Sequence, residues 1–416
     1  MPPASRPRPR SELRALLRRP EVVVWCAFVI CIPFYVFSSG LPQPGDMLML
    51  LLLPLALYGW NGRLLSVFAR PFRVLLLFTL WVVIVQYSWA TIMGNWGFHG
   101  KDTFLLFPVY YVFNGLVMLV SLILYQRYGD AFLRLTMWCL LISVGVQIAG
   151  SFFTFYNKYR QAIFFNNPNQ LGYYSVLASC MLALLQRKLK LGLLVTAVGL
   201  LGCLFLALLS ASRAAAAGSA VVLVVSLASN PRIVLAAVPL IAALLLTGPV
   251  ARALDATEHR VKVDQFPELN FLEERGWGRI YDNPEYVLLG AGEGGTSRFR
   301  DAIVGTHEIH SSAGMLIFSY GLVGTSIFLW FVFRVLSGAR LGASMMLAPI
   351  VTFTVAHHGL RDSMLWMVLG IFLTLKHQRA RAPAQAVVVT PSAPVATPPA
   401  KPPPASPPAP EGAFAG

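Results

Sequence analysis

The sequence predicts an all-α integral membrane protein with about twelve transmembrane helices and one long external loop between helices 9 and 10. Hydrophobic residues make up 56% of the chain and charged residues 12%, whereas soluble proteins carry roughly 25% charged residues. Apolar runs recur near the ~20-residue length of a bilayer span. Residues 251–310 form the only long polar segment between such runs. Its length and aromatic residues favour a folded, functional loop.

The chain opens with a basic, Pro- and Arg-rich stretch, residues 1–21, which we interpret as a cytoplasmic tail. The apolar run that follows has no small-residue cleavage site and is succeeded by further spans, which argues against a signal peptide. An even number of spans places both termini on one side. The predicted spans are 22–39, 46–60, 73–93, 103–125, 131–153, 169–186, 190–209, 213–229, 232–250, 311–336, 341–358 and 361–376.

Basic residues orient these spans. Most of them fall in connections that face the cytoplasm when both termini do, in agreement with the positive-inside rule. The net charge of +15 follows from this bias, so no nucleic-acid partner is expected. We interpret residues 22–381 as one membrane domain and the Pro- and Ala-rich residues 382–416 as a disordered cytoplasmic tail. The short external connections hold Lys101, Lys158, Arg160, Arg213 and Arg361.

The five cysteines all lie inside apolar runs. We interpret them as small buried hydrophobic residues rather than as disulfides or metal ligands.

Asn and Gln residues crowd the entry to the sixth span, where Arg160–Gly172 reads RQAIFFNNPNQLG. Pro168 favours a break before it and fits the first turn of a helix. One interpretation is a capped helix start. The other is a set of donors, from Arg160, Asn167 and Asn169, that face a polar ligand.

A second motif, Ser210–Ala217, reads SASRAAAA and joins two apolar spans with almost no loop. An arginine at bilayer depth costs roughly 2.5–3.5 kcal/mol on insertion scales, so Arg213 is a functional candidate, with Ser212 beside it. The alternative is that Arg213 snorkels to the headgroups. The alanines that follow permit close contact between helices.

The long loop carries a third motif, Arg275–Gly295, which reads RGWGRIYDNPEYVLLGAGEGG. It lacks the Lys-Ser/Thr of a phosphate-binding P-loop, so a nucleotide site is not expected. Its glycines favour tight turns and backbone amides near a ligand. Arg275 and Arg279 are candidate ligand contacts, although Arg279 could instead pair with Asp282 or Glu285.

The fourth motif, His307–Gly324, reads HEIHSSAGMLIFSYGLVG at the start of the tenth span. Two histidines three positions apart could bind a metal, but no further ligand set is evident, so we expect no metal. His310 at a helix entrance is better suited to acid–base chemistry or to binding an acceptor, with His307 as a neighbouring contact.

These motifs share one predicted location. The spans that open near Asn169, Arg213 and His310 all begin at the external face, and their dipoles and unpaired amides point toward it. Together with Arg160 and Arg279 they predict a concave anion site at the membrane surface. A lipid-linked diphosphate fits such a site, and a carboxylate or free phosphate also fits.

The four motifs, in this order, resemble the O-antigen ligase and O-antigen polymerase superfamily of bacterial envelope glycan transferases. Residues 165–171 resemble its F-x-N-P-N signature, 210–213 its S-x-S-R, and 278–292 its G-R…G-x-G segment. His310, with Gly321 and Gly324, resembles its H-N…G-x-x-G, but Ser311 stands where the family commonly has Asn. The resemblance covers roughly residues 160–330 in motif detail.

The resemblance implies transfer of a glycan from undecaprenyl diphosphate to an acceptor hydroxyl at the periplasmic face of a bacterial inner membrane, without metal or other cofactor. Arg213 and Arg279 would hold the diphosphate, with Arg160 in support. His310 would orient or deprotonate the acceptor hydroxyl. The acceptor would be lipid A-core, for a ligase, or a growing polysaccharide, for a repeat-unit or exopolysaccharide polymerase. A lipid or polysaccharide transporter is the alternative from another class, although the single long loop does not resemble the repeat halves of transporters.

Overall fold

The computed structural model describes residues 9–38, 40–98, 103–153, 160–190, 192–229, 271–299 and 308–388, with isolated positions 239, 255 and 258. The predicted ninth span, most of the first half of the long loop, and His307 lie outside these residues. The chain separates into two compact units, residues 1–377 and 378–416. The fold and site described below belong to the first unit.

The described residues form helices and no strand, so the predicted all-helical class is confirmed. Three of these helices, α4, α5 and α11, are long and apolar enough to cross a membrane. The total of twelve spans stays a prediction. The helices are α1 Pro9–Leu16, α2 Pro20–Cys31, α3 Pro44–Leu57, α4 Ser66–Ile92, α5 Leu106–Ser151, α6 Pro168–Leu189, α7 Leu193–Leu209, α8 Arg213–Ser229, α9 Phe271–Glu274, α10 Gly278–Asp282, α11 Ser312–Leu336, α12 Leu341–Ser344, α13 Ala348–Ala356 and α14 Ser363–Val388.

Two glycines break long helices. Gly129 (φ 60°) divides α5 near the point where the sequence predicts a connection between spans 103–125 and 131–153. Gly321 (φ 67°) interrupts α11 inside what the sequence predicts as one continuous span. Both conformations lie in the left-handed region, which glycine adopts without the steric cost of a Cβ atom.

The last two predicted spans differ from the structure at their ends. The predicted span 341–358 consists of α12, a 3-10 turn and α13, and it ends at Ala356. Helix α14 begins at Ser363, two residues after the predicted start of the last span, and Arg361 lies in the external connection in which the charge analysis counted it. The same helix continues to Val388, past the predicted domain end at residue 381.

Helix α6 lies at the centre of the first unit. Its residues are buried from Leu171 to Leu185 without interruption, and it packs against α5, α7, α8 and α13. A helix that is apolar all around is expected at the centre of a bundle. Because α6 is fixed on several sides, the residues at its first turn have well-defined positions.

Hydrogen bonds and an ion pair between helices stabilise the end of the bundle where α6 terminates. Lys188 is 6% exposed, and its Nζ donates to the Tyr125 hydroxyl and to the Thr374 carbonyl, both at 2.9 Å. Nearby in the chain, Arg127 pairs with Glu21 at 3.2 Å. Buried charges require such partners, and we assign these residues a structural role.

Candidate functional site

The candidate site lies at the opposite end of the bundle, where α6, α8 and α11 begin. The connection between α13 and α14 joins these helix starts. The Ser312 hydroxyl donates to the His357 carbonyl at 3.1 Å and accepts from the Gly359 amide at 2.8 Å. Gly359 lies against the ring of Tyr173, one turn into α6, so closely that a Cβ atom on it would be 2.6 Å from the ring. The structure therefore brings the three predicted helix starts to one end of the bundle.

Arg160 joins the first two motifs. Its Nη2 donates to Asn169 Oδ1 at 2.6 Å, and its Nε donates to the Ser210 carbonyl at 3.2 Å. The adjacent Gln161 amide donates to the Leu209 carbonyl at 2.9 Å. A guanidinium that contacts two elements in this way fixes their relative position, here the last turn of α7 and the first turn of α6.

Asn167 and Ser212 cap helices. Asn167 Oδ1 accepts from the Gln170 backbone amide at 3.0 Å, and Gln170 Oε1 accepts from the Asn167 backbone amide at 3.3 Å. The two bonds form a capping box. The Ser212 hydroxyl accepts from the Ala215 amide at 3.4 Å, and Ser212 is 2% exposed. The capped-helix interpretation of the first motif therefore describes Asn167, and the cap that Ser212 forms was not predicted. We assign both residues to positioning.

Both motifs contain a residue with strained backbone. Ile163 has φ 56° and Ala211 has φ 48°, whereas most residues other than glycine avoid positive φ. For a β-branched residue such as Ile163 this conformation is a clear outlier. Strain of this kind persists where the surroundings determine the backbone, and it concentrates at functional sites. The two strained residues precede the caps of α6 and α8, so they set how each helix starts.

Arg213 is the first residue of α8, and its side chain is exposed at the end of the bundle. Small residues let α8 approach α6 closely at this point. A Cβ atom on Gly172 would lie 2.9 Å from the Ser210 Oγ and 3.0 Å from the Ala215 Cβ. The starts of α6 and α8 are therefore adjacent, and Arg213 lies near the contacts that Arg160 makes with Asn169 and Ser210.

The glycine segment of the long loop, residues 287–295, is bonded to the break in α11. The Ala291 and Gly292 amides donate to the Phe318 and Ser319 carbonyls at 2.8 and 2.9 Å. In the other direction, the amides of residues 322 and 323 donate to the carbonyls of residues 287 and 288 at 2.7 and 3.3 Å. Irregular backbone at membrane depth requires such internal partners. The loop thus satisfies the backbone groups that the Gly321 break exposes.

Arg298 holds the same segment in place. Its Nη2 donates to the Ala291 carbonyl at 2.6 Å, and its guanidinium carbon lies 4.5 Å from the centre of the Trp89 ring. Phe104 and Phe299 supply two further rings at 5.1 and 4.7 Å. A cation enclosed by aromatic rings is stabilised electrostatically, so Arg298 serves to fix the loop against α4 and against Phe104, which lies just before α5.

Glu293 is the centre of an ionic cluster that the sequence analysis did not select. Its side chain is 1% exposed. Oε1 accepts from the Tyr111 and Tyr320 hydroxyls, each at 2.7 Å. Oε2 accepts from Arg361 Nε at 2.9 Å and also from Arg361 Nη2. The side-chain amide of Gln86 pairs with the backbone of Glu293. Its oxygen accepts from the Glu293 N–H at 2.7 Å, and its nitrogen donates to the Glu293 carbonyl at 3.0 Å.

Arg361 lies between two carboxylates. Its Nη2 contacts Glu293 and also lies 3.0 Å from Glu308 Oε2. Its guanidinium carbon is 4.5 Å from the centre of the Phe107 ring. Burial lowers the pKa of Arg361, but the two carboxylates outweigh burial and raise it. Burial raises the pKa of Glu308, and Arg361 outweighs burial, so the net shift is downward. Both groups are therefore charged at neutral pH.

Two other titratable groups lie in the same connection. Burial, assisted by Arg361, lowers the pKa of His358 to about 4, against opposition from Glu293 and Glu308. Within the described part of the chain, His358 Nε2 is buried without a hydrogen-bond partner. Burial also raises the pKa of Asp362 to about 6, although its carboxylate accepts from the Met364 amide at 2.9 Å. His358 is therefore neutral at pH 7.

A small cavity of about 20 Å³, open to solvent, is lined by Glu293, Glu308 and Arg361. Arg279 is 3% exposed and forms part of its wall, with its guanidinium carbon 5.7 Å from the Phe299 ring centre. The wall thus carries two guanidinium groups and two carboxylates beside apolar surface. The described lining residues are Arg279, Gly292, Glu293, Gly294, Thr296, Phe299, Glu308, Ile309, Met315, Phe318, Ser319 and Arg361.

His310 and Arg275 lie next to this cavity. The His310 amide donates to the Arg275 carbonyl at 3.0 Å, and the His310 side chain is exposed. His310 is close enough to Glu308 to lower the pKa of that carboxyl. The Ser311 hydroxyl accepts from the Gly314 amide at 3.2 Å and caps α11. His307 falls outside the described residues.

The structure therefore forms two adjoining groups of predicted residues. Arg160, Asn169 and Arg213 lie at the starts of α6 and α8, and Arg279, Arg275 and His310 lie at the cavity beside α11. Glu293, Glu308 and Arg361 were missed. Two signals in the sequence could have indicated them. Arg361 is an isolated arginine in a Gly-Leu-Arg-Asp stretch, and Glu293 is an acidic residue inside a run of glycines.

No protein-family model and no curated protein sequence matches this chain.

Proposed function

We propose that this protein is a membrane glycosyltransferase that moves a glycan from undecaprenyl diphosphate to an acceptor hydroxyl. The observation that carries the proposal is the pairing of the four motifs in space. The first two motifs meet at Arg160, and the third and fourth meet at the Gly321 break. Motifs that lie far apart in the sequence and contact one another in pairs are expected of a single functional site.

In this proposal the group formed by Arg160, Asn169 and Arg213 binds the diphosphate. Arg213 is exposed at a helix start where Arg160 is also present, and the first-turn amides of α6 and α8 add positive partial charge. Positive groups arranged beforehand would stabilise the charge that develops on the leaving diphosphate. Arg279 would contact the donor from the cavity side, with Arg275 in support.

The sugar at which transfer occurs would lie at the mouth of the small cavity beside α11, and the acceptor hydroxyl would enter this cavity. Its wall combines apolar side chains with a few charged groups, as is common in ligand sites. His310 lies at its edge and would orient the acceptor. Within this proposal, a ligase that acts on lipid A-core and a polymerase that extends a polysaccharide differ in the acceptor alone.

A transporter of a lipid or polysaccharide is the second candidate, and one observation favours it. Transporters frequently contain helices interrupted near the membrane midplane, and α11 is interrupted at Gly321. In transporters the freed backbone groups face substrate or ions. Here the backbone groups that the interruption of α11 frees form hydrogen bonds with the loop segment 287–292. The interruption therefore attaches the loop to α11.

The decisive experiment uses the purified full chain in nanodiscs with a defined undecaprenyl-diphosphate glycan and candidate acceptors. A transferase releases undecaprenyl diphosphate and yields a glycosylated acceptor in equal amounts. A transporter in proteoliposomes moves the lipid-linked glycan between leaflets without consuming it. Lipid A-core and the polysaccharide repeat unit, offered separately as acceptors, distinguish ligase from polymerase.

A further inference from the structure

We propose that Glu308 is the group that accepts the proton of the acceptor hydroxyl, and that Arg361 and Glu293 are the positioning residues that hold it. This inference rests on the proposed transfer function and assigns a role within the same cavity. Its basis is the difference between the two carboxylates on the cavity wall.

Glu293 has no capacity left for a substrate. Its carboxylate accepts from two tyrosine hydroxyls and from two nitrogens of Arg361, and its side chain is 1% exposed. A carboxylate offers about four lone-pair sites, and all four are used here. Glu293 therefore anchors its partners rather than exchanging protons.

Glu308 has the opposite character. It lines the cavity, its side chain is 38% exposed, and its described hydrogen-bonding partner is Arg361, at Oε2. No other hydrogen-bonding partner of this carboxylate is found among the described residues, so its remaining acceptor sites can accept from a hydroxyl group in the cavity. Burial would favour the neutral acid, but Arg361 keeps the carboxylate ionised. An ionised carboxylate at a cavity wall is a suitable base for a hydroxyl proton that transfers as the new bond forms.

Arg361 fixes the geometry of that base. Because Glu293 accepts from both Nε and Nη2 of Arg361, the orientation of the guanidinium plane is fixed independently of Glu308. The ring of Phe107 covers the same guanidinium at 4.5 Å. A base held in place loses little freedom when the substrate arrives, and such placement is a large part of catalysis.

The step balances as a single displacement. The acceptor oxygen bonds to the anomeric carbon of the donor sugar. The bond from that carbon to the phosphate oxygen breaks, and its electron pair leaves on undecaprenyl diphosphate. The hydroxyl proton passes to Glu308 and then to solvent, which regenerates the carboxylate. His310, exposed at the cavity edge, orients the acceptor in this scheme without taking its proton.

The first test compares Glu308→Gln with Glu285→Gln, an exposed position in the same loop. Glutamine keeps an oxygen that can accept from Arg361 but cannot take a proton. We expect kcat to fall by at least about 100-fold in Glu308→Gln, with little change in donor binding, because general base catalysis contributes about 10²–10⁴-fold. We expect Glu285→Gln to behave as the wild type.

The second test uses the pH profile of kcat/KM, because a merely structural role would not move it. Arg361→Gln removes the cation that keeps the pKa of Glu308 low, so the acid limb of the profile moves to higher pH. Among the described residues, the charged and titratable groups that face Glu308 are Arg361, His358, His310 and Tyr110. In the double variant Glu308→Gln, Arg361→Gln, the shifted limb disappears if it belongs to Glu308.

The outcomes separate the two proposals. If the wild type releases undecaprenyl diphosphate and Glu308→Gln does so at an undiminished rate, Glu308 is not the base and the transferase function stands. A shifted acid limb that survives in the double variant also overturns the role and assigns the limb to His358. If the folded wild type consumes no lipid-linked donor, the transferase function and the role of Glu308 fail together.

Discussion

The guanidinium of Arg160 lies 2.6 Å from the side-chain oxygen of Asn169, which belongs to the same motif, and it also reaches the second motif, which follows α6 and α7 in the sequence. The same guanidinium donates to the Ser210 carbonyl. Its position is thus fixed by the folded chain before any ligand binds. This pair is the most direct link between the fold and the proposed diphosphate site.

Our first prediction concerns that bond. In a double-mutant cycle of Arg160→Ala and Asn169→Ala, we expect a coupling free energy of about 1.5 kcal/mol, since a hydrogen bond to a charged group contributes about 1.5–3 kcal/mol. The measurement is thermal unfolding in detergent. Additive single effects would show that the two side chains do not stabilise the junction.

The second prediction concerns the proposed diphosphate contacts. We expect Arg213→Ala and Arg279→Ala each to lower the rate of undecaprenyl-diphosphate release by at least about 100-fold, the loss typical of removing one donor to a developing charge. Arg340→Ala, an exposed arginine at the start of α12, serves as the control. All three variants should insert at normal levels. Normal turnover in either of the first two would exclude that arginine from the diphosphate site.

The third prediction compares the two histidines of the fourth motif. His310 lies beside the cavity and contacts the Arg275 backbone, so we expect His310→Ala to raise the KM for the acceptor by about 10-fold or more, while His307→Ala has a smaller effect. Loss of one good hydrogen bond, about 1.4 kcal/mol, corresponds to a factor of ten. Initial rates at varied acceptor concentration measure the difference. The reverse order would move the acceptor contact to His307.

The fourth prediction tests the attachment of the loop to α11. Gly290 has φ 97°, and a Cβ atom on it would be 2.6 Å from the Tyr320 Cα. We expect Gly290→Ala to destabilise the protein by more than about 2 kcal/mol, from backbone strain together with overpacking. Gly338→Ala is a matched control, because Gly338 has φ 74° with open space around it. Its cost should be backbone strain alone, about 1 kcal/mol. Equal shifts in unfolding temperature for the two variants would show that the loop is not packed on α11.

The fifth prediction concerns pH. The pKa of His358 is lowered to about 4 in the folded protein, first by burial and then by Arg361, and it is about 6.5 in an unfolded chain. Between these values the unfolded chain binds a proton at His358 that the folded chain does not, so the contribution of His358 to stability falls as pH drops from about 6.5 toward 4. The raised pKa of Asp362 acts in the opposite direction below about pH 6, so the effect of His358 is the difference between the wild type and a variant.

We expect His358→Gln to show a shallower loss of unfolding temperature over this window, since glutamine does not titrate. Unfolding scans at pH 7, 6, 5 and 4.5 measure the slope. Identical slopes in the wild type and the variant would place the titrating group elsewhere.

Local patterns in the sequence predicted much of the fold. The start of α8 at Arg213 and the start of α6 within one residue of its observed position were predictable, because apolar runs and Asn-Pro capping signals act over a few residues. The location of Arg160, Asn169 and Arg213 at one end of the bundle was predictable from the orientation of the spans. Charge bias alone had assigned these helix starts to one face.

Contacts between distant parts of the chain were not predictable in this way. Glu293 and Arg361 are 68 residues apart, and nothing local to either residue indicates its partner. Gly321 gave no sign of a helix break, because glycine is common within membrane spans. The capping role of Asn167 was visible as an alternative, whereas that of Ser212 was not, and for both residues the choice between capping and ligand binding depended on the observed hydrogen bonds.

The break at Gly321 has a consequence for how the protein is made. Translation produces residues 287–292 before α11, so the backbone partners of the break already exist when that helix enters the bilayer. Until the two meet, α11 would leave unpaired peptide groups in lipid or would run straight through Gly321 as one rod. Docking of the preceding segment therefore supplies the hydrogen bonds that the interrupted helix lacks by itself.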